Sequence, residues 1–156
     1  MRLTRYSDYA VRVLIYLASS DGRLSSIGEI ARTYDISQNH LMKVVHDLGK
    51  GGFLTTIRGR NGGIRLARKP REINLGEVIR FTEQEFQLAE CDACLIECAC
   101  GLSSILDEAV AAFMRVLDGY TLVDAMQGRH SLMPLFVNGD CLTCSESMPG
   151  LAAMDQ

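Results

Sequence analysis

Near the start of the chain apolar residues return every three or four positions. Ala10, Val13, Leu14, Leu17 and Ala18 follow Ser7 at that interval, which predicts an amphipathic helix ended by SSDGR, with Gly22 in the turn. Two shorter helical patterns come next. Ser26 heads IGEIARTYD with Glu29 three positions on, the signature of a capping box, and Ser37 heads QNHLMKVVHDLGKGG as its expected cap. In this second segment Leu41, Val44, Val45 and Leu48 share one face, which leaves Gln38, Asn39, His40 and Lys43 exposed at its N-terminal end. Only Asp35-Ile36 separates the two helices. So short a link suits a helix-turn-helix, a motif whose second helix enters the major groove by its N-terminus.

Beyond Gly51-Gly52 the pattern turns extended, as FLTTIR, GRNGG and IRLAR. Asn61-Gly62 is expected to supply the positive φ angles of a tight hairpin turn, with Arg58, Arg60, Arg65 and Arg68 gathered around one protruding loop. INLGEVIRFTE, residues 73–83, predicts a further helix that packs the hairpin onto the body. Farther on, Leu102, Ile105, Leu106, Ala109, Ala112, Phe113, Val116 and Leu117 form a stripe from about Gly101 to Asp118, a helix roughly 26 Å long at 1.5 Å per residue. A small winged domain has no evident surface for that stripe, whereas the same helix from a second chain covers it with two-fold symmetry.

The expected fold is therefore mainly α with a small β-hairpin wing, a winged helix-turn-helix domain plus a long dimerisation helix. Its divisions are a DNA-binding domain over residues 1–83, a cysteine-bearing loop over 84–101, the dimerisation helix and following segment over 102–127, and a tail over 128–156, mobile at its end.

Length changes little in this picture: 156 residues at 47% hydrophobic content suffice for the core of one ordinary domain. Charge changes more. A net charge of −3 argues against a polyanionic partner, yet residues 1–71 carry 13 Lys and Arg against 5 Asp and Glu, a balance of +8, and residues 72–156 carry 3 against 14, a balance of −11. A basic reading head is joined to an acidic regulatory or assembly half. No acid lies between Phe53 and Arg71, a poor design for solubility and a good one for a wing that grips phosphates or enters the minor groove. The candidate DNA contacts are Ser37, Gln38, Asn39, His40, Lys43, Arg58, Arg60, Asn61 and Arg65, and the expected partner is double-stranded DNA with a palindromic operator, bound by a homodimer. The stretch AVRVLIYLA has a signal-peptide shape, but Asp8 and Arg12 interrupt it. No apolar run reaches the roughly 18 to 20 residues of a membrane span. The expectation is a cytoplasmic protein with no membrane partner.

In such reducing surroundings clustered thiols point to metal or redox chemistry rather than structural disulfides. Residues 90–102 read ECDACLIECACGL, with Cys91, Cys94, Cys98 and Cys100 close together. Cys91-x2-Cys94 with Cys141-x2-Cys144 makes a possible four-thiolate zinc site, at a separation longer than that of zinc ribbons. An iron–sulfur electron carrier has no use for a basic winged helix, and the thiol pairs lack the strand-then-helix setting of thioredoxin-like enzymes. The three His are scattered. No nucleophile, base and orienter group together, so no catalytic residue is assigned and the chain is not expected to be an enzyme.

In combination, MRLTRYSDYAVRVLIYLA, ISQNHLMKVVHDL, IRGRNGGIRLAR and the pairing of CGL with AFMRVLDGYTL resemble the NsrR-type nitric-oxide-sensing iron–sulfur repressors of the Rrf-two winged-helix family, over roughly residues 1–127. The resemblance implies a homodimeric bacterial repressor holding an iron–sulfur cluster, 4Fe-4S in preference to 2Fe-2S, whose nitrosylation by nitric oxide lowers operator affinity. It implies Cys91, Cys94 and Cys100 as thiolate ligands: Cys91 follows Ala89-Glu90, and five residues separate Cys94 from Cys100. Two features depart from the family pattern. The loop Asp92-Ala93 is shorter, and Cys98 is an extra thiol that either substitutes for Cys94 or sits spare. Asp8 in SDYAVR stands where the subgroup has a carboxylate ligand supplied by the other subunit. Its residue type alone reads as an ordinary first-turn acid that complements the helix dipole. The iron-responsive RirA group shares the wing and the AEC and CGL landmarks, and is the alternative reading.

Overall fold

The computed structural model describes residues 2–83, 86, 88–89, 94–95, 100–126 and 136. Helix α1, Arg5–Ser19, begins where the Thr4 hydroxyl accepts the Ser7 N–H at 3.2 Å. It buries Ser7, Ala10, Val13, Leu14, Tyr16 and Leu17, the expected stripe with Tyr16 added and Ala18 only half-buried at its edge. The turn after it places both Asp21 and Gly22 at positive φ, 47° and 78°.

Helix α2, Ile27–Tyr34, carries the expected capping box. The Ser26 hydroxyl accepts the Glu29 N–H at 3.1 Å, and the Glu29 carboxylate accepts the Ser26 N–H at 3.4 Å. Asp35 ends the helix in the left-handed region at φ 52°, and buried Ile36 leads into α3, Gln38–Lys50. Leu41, Val44, Val45 and Leu48 are buried along α3 as their spacing predicts. Ser37 departs from expectation: it occupies the cap position, but its hydroxyl makes no capping hydrogen bond.

The hairpin pairs β1, Leu54–Ile57, with β2, Gly63–Leu66, antiparallel, with Leu54 opposite Leu66 and Ile57 opposite Gly63. Its turn differs from the Asn-Gly turn read from the sequence. Positive φ falls on Gly59, at 114°, and not on Asn61 or Gly62, because residues 58–62 form a loop longer than a two-residue turn. Glycine is needed at 62 for room instead: a Cβ there would lie 2.2 Å from the Ile57 carbonyl oxygen, while the Gly62 N–H donates to the Gly59 carbonyl at 3.0 Å. Arg68 also leaves the expected wing set. It donates twice to the Glu77 carboxylate, at 3.1 and 3.0 Å, and lies 4.8 Å from the Phe53 ring centroid, so it clasps the base of the hairpin to the body.

Helix α4, Leu75–Thr82, is capped by Asn74, whose side-chain oxygen accepts the Glu77 N–H at 3.0 Å. Helix α5, Leu102–Asp118, packs on α4, and α6, Leu122–Met126, brings the fully buried Leu122 into the core. One apolar cluster unites Leu14, Leu41, Leu48, Phe53, Ile64, Ile73, Val78 and Leu122, so α1, α3, the hairpin, α4 and α6 share a centre. Helix α5 stays outside it. Only Met114 of α5 is buried, while Leu102, Ile105 and Val116 are 48%, 63% and 60% exposed. Among the described residues no helix is long and apolar enough to cross a membrane.

Leu14→Ala opens a void in the middle of this cluster and should cost about 2 to 5 kcal/mol of stability, whereas Ser26→Ala, which removes one arm of the capping box, should cost about 1 kcal/mol. Urea midpoints at constant slope measure both. A smaller loss for Leu14→Ala than for Ser26→Ala would contradict this account of the core.

Candidate nucleic-acid interface and cluster site

Burying the apolar face of α3 leaves its opposite face outward. Ser37, Gln38, Asn39, His40 and Lys43 are all exposed. The first turn of α3 contains no acidic residue and lacks a side-chain cap, so its N–H groups and the positive end of its dipole remain available to an anionic partner. Gln38 lies across α2 at Gly28, where an added Cβ would be 3.6 Å from the Gln38 amide oxygen. On the wing, Arg58, Arg60 and Asn61 sit in the exposed turn, and Arg65 points out of β2 while its neighbour Ile64 points into the core. None of these three arginines has a carboxylate partner among the described residues.

Three residues not singled out from the sequence join this surface. Arg5, Tyr6 and Tyr9 of α1 line a cleft of about 360 Å³ opposite Asn39, His40 and Lys43 of α3. Their three-to-four spacing along α1, off the buried stripe, was the available signal. The Tyr6 hydroxyl donates to the Asp47 carboxylate at 2.9 Å. Burial, reinforced by that carboxylate, pushes the Tyr6 phenol up to about 12, so it remains a donor throughout the neutral range.

Asp8 lies in the first turn of α1, where its carboxylate accepts the Arg12 Nε–H at 2.9 Å, with both side chains 45% exposed. The Arg12 guanidinium lies 5.8 Å from the centre of the Tyr34 ring. Burial pushes the Tyr34 phenol up to about 12, Arg12 opposing and Tyr16 adding to the effect. Asp8, Arg12 and Tyr34 line a cleft of about 670 Å³ together with Arg2, Arg5 and Tyr9.

Cys94 is exposed and Cys100 half-buried, both as free thiols. Cys91 and Cys98 lie outside the described residues, as do Cys141 and Cys144. Cys100 immediately precedes Gly101, the cap residue of α5, and the first turn of α5 has neither an acidic residue nor a side-chain cap. The free soft thiol of Cys100 beside an open helix N-terminus fits a net-anionic iron–sulfur group in donor chemistry and in electrostatics. Among the described residues no three His, Cys, Asp or Glu side chains are grouped to hold a metal ion, so Asp8 does not form such a group with Cys94 and Cys100 within one chain.

Comparison with known proteins bears on both surfaces. The family model described as "Rrf2: Iron-dependent Transcriptional regulator" matches residues 3–128. The HTH-type transcriptional regulator NsrR of Bacillus subtilis is 50% identical over 141 residues, spanning 86% of this chain and 97% of that protein. Among solved structures, CymR, the global cysteine regulator of B. subtilis, superposes with a TM-score of 0.65 at 26% identity, covering 83% of this chain and 99% of that one. IscR of T. potens does so at 0.66 and 25%, covering 86% and 96%. The matched family and the relative NsrR are transcriptional regulators rather than enzymes. With half-identity across most of its length and a family match over residues 3–128, this chain belongs to the Rrf2 family of transcriptional regulators, on a winged-helix fold.

Proposed function

We propose that the protein is a homodimeric DNA-binding repressor that senses nitric oxide through a bound iron–sulfur cluster. The observation that carries the DNA-binding part is the open, acid-free start of α3 on the same domain as a wing whose Arg58, Arg60 and Arg65 have no carboxylate partner among the described residues. Gln38 and Asn39 carry amides able to bond an adenine edge bidentately, and Ser37, His40 and Lys43 flank them with groups for phosphates and further base atoms. The wing arginines and Asn61 add backbone or minor-groove contacts. Pairing of the exposed α5 stripe in a two-fold dimer would present two α3 helices to a palindromic operator.

For the sensor, Cys91, Cys94 and Cys100 of one subunit and Asp8 of the other would hold the cluster, read as 4Fe-4S, with Cys98 as a substitute thiolate. When bound, the cluster supplies iron that reacts with nitric oxide, most readily where the harder carboxylate is the ligand. Asp8 rides on α1, and α1 packs on α3. A cross-subunit attachment at Asp8 therefore fixes the pose of a reading head, and its release frees the two α3 helices from operator spacing. The half-identity to a regulator named NsrR supports this reading. Iron-responsive repression is the second reading, favoured by the family description as iron-dependent.

Protein purified without oxygen and assayed for iron, sulfide and zinc tests the cofactor. Broad visible absorption with matched iron and sulfide, bleached by nitric oxide and lost in Cys100→Ser, is the expected result. Colourless protein with zinc alone would replace the cluster with the four-thiolate site. For the reading head, Asn39→Ala should cost about 1 to 3 kcal/mol against a selected operator and relax preference at one base position. An unchanged sequence preference would remove Asn39 from base reading. Asp8→Ala should alter both nitric-oxide response and operator affinity; a variant matching the wild type in both would discard the cross-subunit tie.

A further inference from the structure

The ion pairs of the basic half sort its cations into two groups. Arg12, Arg23, Lys50 and Arg68 each lie against a carboxylate, those of Asp8, Glu29, Asp47 and Glu77. Arg5 and Lys43 have no such partner among the described residues, and they face one another across the cleft between α1 and α3. No carboxylate lines that cleft. Asp47, one turn farther along α3 from Lys43, is occupied from the side by the Tyr6 hydroxyl at 2.9 Å and by the Lys50 ammonium at 3.9 Å.

Backbone electrostatics work in the same direction. Arg5 is the first residue of α1, whose start is already occupied by the Thr4 hydroxyl and by the Glu83 carboxylate, which accepts the Thr4 N–H at 2.7 Å, so the start of α3 is the open one. The N-terminal part of α3 forms the other wall, with no acid in its first turn and no side-chain cap. Two cations without a carboxylate partner among the described residues, the open start of α3 and the Asn39 amide thus line one hollow. The ligand such a hollow suits is a single phosphate, small, anionic and rich in acceptors.

With the start of α3 in a major groove, the backbone strand bordering that groove brings a phosphate past the helix that flanks α3. We infer that Arg5 of α1 and Lys43 of α3 clamp one backbone phosphate of bound DNA, so that α1 contacts the duplex together with α3 and the wing. This rests on the DNA-binding reading above. It adds a contact that positions the reading head without carrying sequence information, since phosphates are the same at every base pair.

The test is fluorescence anisotropy of a labelled random-sequence duplex titrated with the full-length protein over a series of KCl concentrations. Each lost phosphate contact removes about one unit from the slope of log affinity against log salt. Arg5→Gln should weaken binding and lower that slope by about 1, Arg5→Lys should restore most of it, and Arg115→Gln on exposed α5 should leave it unchanged. The thermal midpoint of each variant establishes that it is folded. A folded Arg5→Gln variant with the wild-type slope overturns the clamp while leaving the wing and α3 contacts standing. Should that variant keep the slope while inorganic phosphate raises the thermal midpoint of the wild type but not of the variant, the hollow binds a free anion and not DNA. Wild-type protein that binds no duplex overturns the DNA-binding reading itself, and the clamp with it.

Discussion

The burial of one face of α3 against α1 is the constraint on which the rest of the molecule depends. Leu41, Val44, Val45 and Leu48 are each 4% exposed or less, and they meet Ala10, Val13, Leu14 and Leu17 of α1 in the common core. A helix has only one direction opposite its buried face, so this contact decides which residues are turned outward. Rotating α3 by one position would bury Met42 and expel Leu41, at the cost of a fully buried leucine. The capping box at Ser26 and the left-handed Asp35 fix where α3 begins relative to α2. Together they set the orientation of Gln38, Asn39 and His40 before any partner arrives.

The second organising feature is the strap that fastens α5 to this reading head. Asn74 Nδ2 donates to the Asp118 carbonyl at 2.8 Å and to the Tyr120 carbonyl at 3.1 Å, Leu75 N–H donates to the same Tyr120 carbonyl at 3.0 Å, and Leu122 N–H to the Ile73 carbonyl at 2.9 Å. Arg80 adds a bidentate pair with the Asp118 carboxylate, at 2.6 and 2.7 Å. That pair is open to solvent and its value lies in geometry, since two parallel bonds define an angle that one does not. Helix α4 is thus joined on one side to the hairpin through Glu77 and Arg68, and on the other to α5 through Arg80 and Asp118. Close approach at Gly76 completes the fit, because a Cβ there would sit 2.1 Å from an Asp118 carboxylate oxygen.

The elements set by local rules were legible in the sequence. Periodicity located α1, α3, α4 and α5, and the Ser26–Glu29 spacing located the capping box. Features decided by tertiary partners were not. Ser37 stands at a cap position without capping, and the hairpin turn takes its positive φ from Gly59 because loop length, not the Asn-Gly pair, selects the turn. Arg68 resembled its neighbours on the wing until Glu77 and Phe53 appeared beside it. Helix α6 is short, and what defines it is Leu122 entering a core built far away in sequence. At the candidate site, residue types were readable from order alone, but the cleft between Arg5 and Lys43 exists only because α1 and α3 are packed together.

Charge shows most clearly how these parts are combined. A segment with a balance of +8 repels itself, and three of its five acids are placed against partners: Glu29 holds Arg23 at 2.6 Å, Asp47 holds Tyr6 and Lys50, and Asp8 holds Arg12. The pairs at Glu29 and Asp47 are tied to the fold by tyrosine hydroxyls, from Tyr16 at 2.7 Å and Tyr6 at 2.9 Å. The pair at Asp8 has no such second bond among those described, and it is nearly half exposed. Exposed pairs of this kind contribute roughly 0 to 1 kcal/mol. Little free energy therefore opposes transfer of the Asp8 carboxylate to another partner, and Arg12 keeps the Tyr34 ring as a neighbour when it is released. Of the three paired acids, the one proposed to cross to the second subunit is thus the one without a second anchor.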